Sequence, residues 1–382
     1  MNTERENVPQ RNIKTDLKLQ LSKILPVLLV ILTVFEFAHW FLYLSVTRSM
    51  GDSNLLKIIY VLGPIVMLAG FLATRLKKNN FLWLTWLGYI WMGIFNIHLL
   101  FSFLEFVATL FIQHNYSYWV LFATAIVSVW ALYKGLKFPT LITHEISGPA
   151  EIKNFKIAQI SDLHVGMLHL NQKWLNRVVE KINSENPDIV AITGDLAEGD
   201  FSKISKMLVP LQNIKSTCGV FYITGNHEYI HASDWEGYLE SLGIVSLHNQ
   251  NKIIDFNNQK ILVAGIPDRM APRFSRSICS EPDVALKSGE QTMYKILLAH
   301  EPSSIYDIQN EKCDLMLTGH THGGQIFPFH LGVMLQQPMV SGFKKFITKS
   351  GNVLVFNHQG TGFWGPPMRW FSRSEIVILK FK

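Results

Sequence analysis

Four long apolar runs crowd into the first 150 residues, and a soluble domain seldom holds apolar helices of that length. A helix crossing the hydrocarbon layer takes about 20 residues at 1.5 Å each. Ile24–Val46 meets that length, interrupted only by Glu36 and His39. Leu55–Ala73 meets it with Lys57 near one end and a Gly63-Pro64 kink. Phe81–Ile112 exceeds it. That run reads either as one tilted helix or as a span ending near Phe103 with an interfacial continuation. Tyr118–Tyr133 with its flanks makes a fourth. A secretory signal has one short apolar region, so residues 24–134 read as a membrane bundle of about four helices.

Charge is as uneven as hydropathy. The 382 residues carry a net +6, and only 17% are charged. Residues 1–150 hold twelve basic and seven acidic side chains; residues 151–382 hold twenty-three and twenty-two. The excess therefore sits in the apolar half. It is no nucleic-acid footprint, and no nucleic acid is expected as a partner. It sets orientation instead. Arg5, Arg11, Lys14, Lys18 and Lys23 lie in the N-terminal tail, residues 1–23. Arg75, Lys77 and Lys78 fall between the second and third runs, and Lys134 and Lys137 follow the fourth. The opposite side has only Arg48 and Lys57. This bias places both termini in the cytoplasm, as expected of an integral protein of the plasma (inner) membrane. Cys218, Cys279 and Cys313, with no CxxC, indicate a reducing compartment and no disulfide framework.

Polar groups inside hydrocarbon are costly and rarely idle. Glu36, His39, Asn96, His98 and Glu105 all lie within the apolar runs. Glu36 and His39 share a helical face, a spacing able to ligate metal, yet no matching second pair exists. Hydrogen bonds between helices are the expected role, with a lipid headgroup site as the sharper alternative. Residues 135–150, with Gly135, Pro139, Gly148 and Pro149, read as a linker, and a second domain covers 151–382.

That domain alternates strand and helix, which gives an α/β fold with ligands at the carboxyl ends of strands. The polar motifs fall there. Asp162-x-His164 follows the strand Phe155–Ile160, and Gly194-Asp195 follows Asp188–Thr193. Gly225-Asn226-His227-Glu228 follows Gly219–Thr224. His300 follows Tyr294–Ala299, and Gly319-His320-Thr321-His322 follows Asp314–Thr318. One such residue alone would be a helix cap or a loop hydrogen bond. Five strand ends in succession are a site. Its donors are carboxylate, amide and imidazole without thiolate, which suits Mn²⁺, Fe or Zn²⁺. There are too many for one ion, so two divalent ions sharing a carboxylate is the natural count. A pair about 3.5–4 Å apart can bind phosphate oxygens and a bridging hydroxide.

The series D-x-H, GD, GNHE, H, GHTH resembles the calcineurin-like metallophosphoesterase superfamily over about residues 153–382. Gly319–Gln325 and the ending Gly360–Glu375 resemble its YkuE/YaeI-like phosphohydrolase branch. Spans followed by this domain also resemble transmembrane proteins with a metallophosphoesterase domain. The resemblance implies a four-layer α/β/β/α sandwich behind an α-helical transmembrane bundle. It implies one metal on Asp162, His164 and His322, a second on Asn226, His300 and His320, and Asp195 bridging both. His227 would be no ligand but a catalytic group beside the phosphate. The segment Gly265–Arg269 departs from the branch, many members of which carry an acidic pair there, and Asn357–Gly360 matches no assigned pattern. Arg269, Arg273, Arg276 and His358 are candidate phosphate or headgroup contacts.

The expected function is a membrane-anchored, two-metal phosphoester hydrolase. Because four spans exceed mere tethering, the expected substrate is lipid-linked, such as a UDP-diacylglucosamine-like pyrophosphate, which some relatives cleave. The alternatives are a phosphodiesterase for soluble or cyclic nucleotides and a non-catalytic metal-binding interaction module.

Overall fold

The computed structural model describes residues 13–75, 81–112, 114, 116–199, 201–230, 235–274, 278–289, 291–292 and 294–382. Four long helices lead: α1 (Ile13–Met50), α2 (Asn54–Arg75), α3 (Leu82–Thr109) and α4 (Ser117–Leu136). Among the described residues, Asn54–Thr74, Leu82–Thr109 and Ser117–Leu136 are long and apolar enough to cross a membrane. The first apolar run lies inside α1, whose side chains up to Leu25 fall outside the described residues. So do Arg5, Arg11, Lys77, Lys78 and Arg276. The long third run is one helix to Thr109, with no break at Phe103.

The bundle closes on Leu42, Tyr43 and Val46 of α1, Tyr60 and Met67 of α2, and Phe95 of α3. A Cβ on Gly70 would lie 2.7 Å from the Gly88 Cα, so the backbones of α2 and α3 meet where only small residues fit. Phe37, Trp83, Phe103 and Trp130 point outward and exposed, a surface suited to lipid rather than water. The polar residues bridge helices. Glu105 accepts from Ser45 Oγ (2.7 Å), Ser117 Oγ (2.9 Å) and the Tyr116 amide (3.2 Å). His98 sits between the Tyr60 hydroxyl at 3.0 Å and Thr124 Oγ1 at 3.2 Å. His39 Nδ1 donates to the Phe35 carbonyl (2.7 Å), and its Nε2 accepts from Trp91 Nε1 (3.1 Å). Both ring nitrogens are engaged, which leaves none for a metal shared with Glu36.

The second domain runs β1 (Thr140–Ile146), β2 (Lys156–Ile160), α5 (Gln172–Asn183), β3 (Ile189–Thr193), α6 (Phe201–Leu208) and β4 (Gly219–Ile223). Next come α7 (Asn226–Ile230), α8 (Trp235–Ser241), β5 (Val245–Ser246), β6 (Gln250–Phe256), β7 (Gln259–Gly265), α9 (Ala271–Phe274) and α10 (Pro282–Leu286). It ends with β8 (Tyr294–Leu298), β9 (Leu315–Thr318), α11 (Phe329–Gln336), β10 (Gly342–Thr348), β11 (Gly351–Asn357) and β12 (Glu375–Phe381). Helix α5 shows why the local reading works. Asn171 caps it, its side chain accepting from the Trp174 amide at 3.1 Å, and Trp174, Leu175, Val178, Val179 and Ile182 bury one face.

Two six-stranded sheets form, in the orders β1-β12-β2-β3-β4-β5 and β10-β11-β9-β8-β7-β6. Ile157, Phe221, Val263, Leu298 and Phe356 fill the space between them. Val178, Ile182, Leu208 and Leu239 cover the outer face of the first sheet. Ala285, Leu286 and Ile305 cover that of the second. This is the four-layer helix–sheet–sheet–helix sandwich. Strands β2, β3 and β4 run parallel in one sheet, and β7, β8, β9 and β11 in the other. Their carboxyl ends carry the five motifs.

The linker reading needs correction. Within 135–150, Thr140–Ile146 is strand β1, paired in parallel with β12 from Thr140↔Glu375 to Ile146↔Phe381. It lies at the sheet edge and is half exposed, so its hydropathy is weak and the flanking Gly and Pro residues dominate the pattern. The membrane bundle thus runs into the sheet through only Lys137–Pro139.

Candidate metal centre

The donors of all five motifs converge. His164 Nε2 and His322 Nε2 face each other at 3.2 Å, and Asp162 Oδ1 lies 3.4 Å from His322 Nε2. Beside them, His320 Nδ1 lies 3.0 Å from Asn226 Oδ1 and 3.2 Å from His300 Nε2. Asp195 Oδ2 stands between the two sets, 3.2 Å from His300 Nε2 and 3.8 Å from His164 Nε2. Its other oxygen accepts from the His227 amide at 2.9 Å. Asp162, His164 and His322 form one group able to hold an ion, and Asp195, His300 and His320 another; His164, Asp195 and His227 form a third overlapping set.

These spacings test whether metal fits. An ion about 2.1 Å from each donor sets neighbouring donors about 3.0 Å apart in an octahedron and about 3.4 Å in a tetrahedron. The donor pairs at 3.0 to 3.4 Å match those edges. Facing imidazole nitrogens also repel or share one proton unless a cation separates them. The residues fit divalent metal.

The loops hold strained backbone to aim these groups. Asp162 (φ 52), His164 (φ 45), Asp195 (φ 50), His320 (φ 69) and His322 (φ 51) all occupy the left-handed region. Each costs on the order of 1–3 kcal/mol, which only a surrounding frame can hold. Part of that frame is Gly319, where a Cβ would run into Ser161 Oγ and the Asp162 carboxylate. The Asp162 carboxylate accepts from the His320 amide at 3.0 Å, and the Thr193 carbonyl accepts from His300 Nδ1 at 2.8 Å, turning Nε2 toward Asp195. Burial alone would raise the Asp195 carboxyl, but His300, His227 and His164 hold it well below the usual carboxylate range.

Three further residues shape the site. Glu198 Oε2 lies 2.5 Å from His227 Nδ1, which leaves His227 Nε2 facing the donors, 4.0 Å from Asp195 Oδ2. Glu228, the last residue of the GNHE motif, accepts from the amides of Gly225 (2.6 Å), Leu196 (2.7 Å) and Asp195 (3.0 Å). It pins the loops after β3 and β4 together. Arg369 is fully buried and donates to the carbonyls of His322 (2.8 Å), Gln359 (2.6 Å) and Gly362 (2.6 Å). Only Glu228 carried a signal, its fixed place in a motif; Glu198 and Arg369 sit in loops with no pattern of their own.

The phosphate-contact candidates separate. Arg269 is paired with Asp307 (Nε to Oδ2, 3.2 Å), and Arg273 is exposed on α9. His358 is fully buried and its Nδ1 accepts from the Gly360 amide at 2.9 Å, so it cannot meet a substrate. Nearby, burial pushes the Asp268 carboxyl up to about 7.

Residues 155–324 match the calcineurin-like phosphoesterase family. The chain is 30% identical over 380 residues to an uncharacterised metallophosphoesterase of Campylobacter jejuni, covering 92% of this chain and 97% of that one. It is 37% identical over 250 residues to an uncharacterised metallophosphoesterase of Helicobacter pylori strain J99, and spans 65% of that relative's length. It is 34% identical over 275 residues to the "transmembrane protein with metallophosphoesterase domain" of Danio rerio, covering 69% of this chain and 62% of that protein.

Proposed function

Because the chain belongs to the calcineurin-like metallophosphoesterase family, we propose that it is a membrane-anchored phosphoester hydrolase working with two divalent ions, Mn²⁺, Fe or Zn²⁺. Asp162, His164 and His322 hold one ion in this reading, Asn226, His300 and His320 the other, and Asp195 both. The observation that carries it is the place of Asp195 Oδ2, within ligand spacing of His300 and next to His164. Bound ions would supply Lewis acidity toward phosphate oxygens and an activated water as nucleophile.

The chain's own residues do the rest. Asp162 and Asp195 bring negative charge that keeps the site from being too cationic to release product. His227 keeps one proton on Nδ1 against Glu198 and carries a second on Nε2, which passes to the leaving oxygen as the ester bond breaks. Trp364, edge-on to His227 at 5.7 Å, limits water on that side.

The substrate we favour is a lipid-linked phosphoester or pyrophosphate, processed at the cytoplasmic leaflet of the plasma (inner) membrane. Lys134 and Lys137 on the catalytic side of α4, against Arg48 and Lys57 on the far side, support that orientation. The test is full-length protein in nanodiscs, stripped by chelator and reloaded with Mn²⁺, Fe²⁺ or Zn²⁺. Metal-dependent release from lipid phosphoesters above that from soluble esters is expected. Hydrolysis of soluble nucleotides alone would overturn the substrate reading, and no hydrolysis with two ions bound would overturn the enzyme.

A further inference from the structure

The second domain does not merely hang below the bundle. The Arg369 amide donates to the Ala131 carbonyl of α4 at 2.9 Å, and Asn96 Nδ2 of α3 donates to the Phe327 carbonyl at 3.1 Å. Ile326 and Met368 are buried against Ile97 and Ala131, with Val127, Leu132 and Trp370 packed alongside. The rings of Phe101 and Trp370 lie 5.8 Å apart. Helix α4 has 20 residues, about 30 Å, just the hydrocarbon thickness. Ala131, whose carbonyl accepts from the Arg369 amide, lies five residues before its end, about 8 Å inside. The loops carrying Ile326 and Trp370 therefore reach hydrocarbon depth.

Helix α11 starts from that depth. Its first residue, Phe329, donates its amide to the Ile326 carbonyl at 2.9 Å. The helix, FHLGVMLQ, has no charged and no buried residue. Phe329 (54%), Leu331 (57%), Met334 (64%) and Leu335 (88%) are exposed, and so is the neighbouring Phe371 (75%). A helix facing water would turn polar residues outward. Between α11 and the metal-site loop lies a cavity of about 240 Å³, lined by Phe329, Val333 and Gln336 on one side and His320 and Thr321 on the other.

We infer that α11 is a membrane-seated helix, buried in the acyl boundary beside α3 and α4, and that the cavity beneath it opens to lipid acyl chains. The occupant is the bilayer, because the apolar face continues a contact with the spanning helices. Helices lying in the interface sink about 5–10 Å into the boundary. The inference rests on α2–α4 spanning a membrane, and on the phosphoesterase reading only for what the cavity would admit to His320.

The test needs no turnover. Full-length protein carrying Cys218→Ser and Cys279→Ser, with Cys313 buried in the core, receives a nitroxide at Leu335→Cys in phosphatidylcholine–phosphatidylglycerol nanodiscs. The label should be open to oxygen and closed to a nickel chelate, whereas one on the exposed native Cys279, in protein carrying Cys218→Ser alone, should show the reverse. Equal, water-like access at both positions would overturn the inference. In vesicles with a photoactivatable acyl chain, cross-links should fall on residues 326–337 and drop several-fold with Met334→Asp plus Leu335→Asp. Cross-links confined to α1–α4 would also overturn it. A metal-loaded protein that hydrolyses nothing would defeat the phosphoesterase reading and leave this one standing.

Discussion

His227 Nδ1 and Glu198 Oε2 lie 2.5 Å apart, which fixes the imidazole with its Nε2 toward the donors of the candidate metal centre, 4.0 Å from Asp195 Oδ2. Glu198→Gln keeps the shape of this contact and removes its charge. Burial disfavours a charged His227, while Asp195 and Glu198 favour it, so the variant weakens proton delivery rather than binding. The expected outcome is a kcat lowered roughly 10- to 100-fold with KM nearly unchanged, as for partial loss of general acid catalysis. A steady-state comparison in which KM alone moved would refute the role.

Asp195 and Asn226 should differ in how much metal they hold. Asp195 Oδ2 faces both donor groups, whereas Asn226 Oδ1 faces His320 of one. Elemental analysis of Asp195→Asn should show both ions depleted, and of Asn226→Ala one. Losing an outer partner of a metal ligand costs about 10- to 100-fold, so losing a ligand should cost at least that in activity. Equal metal content in the two variants would contradict the assignment.

Arg369 acts through the backbone. It donates to four carbonyls, one of them that of His322. Arg369→Ala takes that donor from the Gln359 and Gly362 carbonyls, at about 1–3 kcal/mol each before water relaxes in, and leaves the His322 carbonyl with the Gln325 amide. A thermal melt should show a loss of several degrees. Metal affinity should fall with it, because His322 is no longer held in its left-handed conformation.

Asp268 gives a pH dependence with a defined sign. Burial raises its carboxyl to about 7 from an ordinary 3.8, so between those values the folded protein holds a proton that the unfolded chain has lost. Stability from this group is greatest below about pH 4, falls as pH rises toward 7, and is level above. Its Oδ1 accepts from the Met270 amide at 2.7 Å, a bond an amide can keep. Asp268→Asn should therefore flatten the fall in melting temperature between pH 5 and pH 8. An unchanged slope in the variant would show that another group sets it.

What could be read from the residues in order was what local periodicity and strand-end chemistry encode. Apolar runs of about 20 residues announce α2, α3 and α4, since a membrane span satisfies its own backbone hydrogen bonds and needs no partner to be recognised. The Asp, Asn and His residues stood out because each follows a buried strand. Their convergence into donor pairs at 3.0 to 3.4 Å belongs to the fold, which brings residues such as His164 and His322 together across 158 positions of chain. Strand β1 is not legible in the sequence, because an edge strand is half exposed and acquires its identity from β12, more than two hundred residues later. Glu198 and Arg369 lie in irregular loops whose side-chain directions no spacing encodes. The contact of the loop before α11 with the bundle was equally illegible, because no local pattern places Ile326, Phe327 and Met368 against α3 and α4. Local sequence sets what each segment can bury, and only the packed chain decides against what.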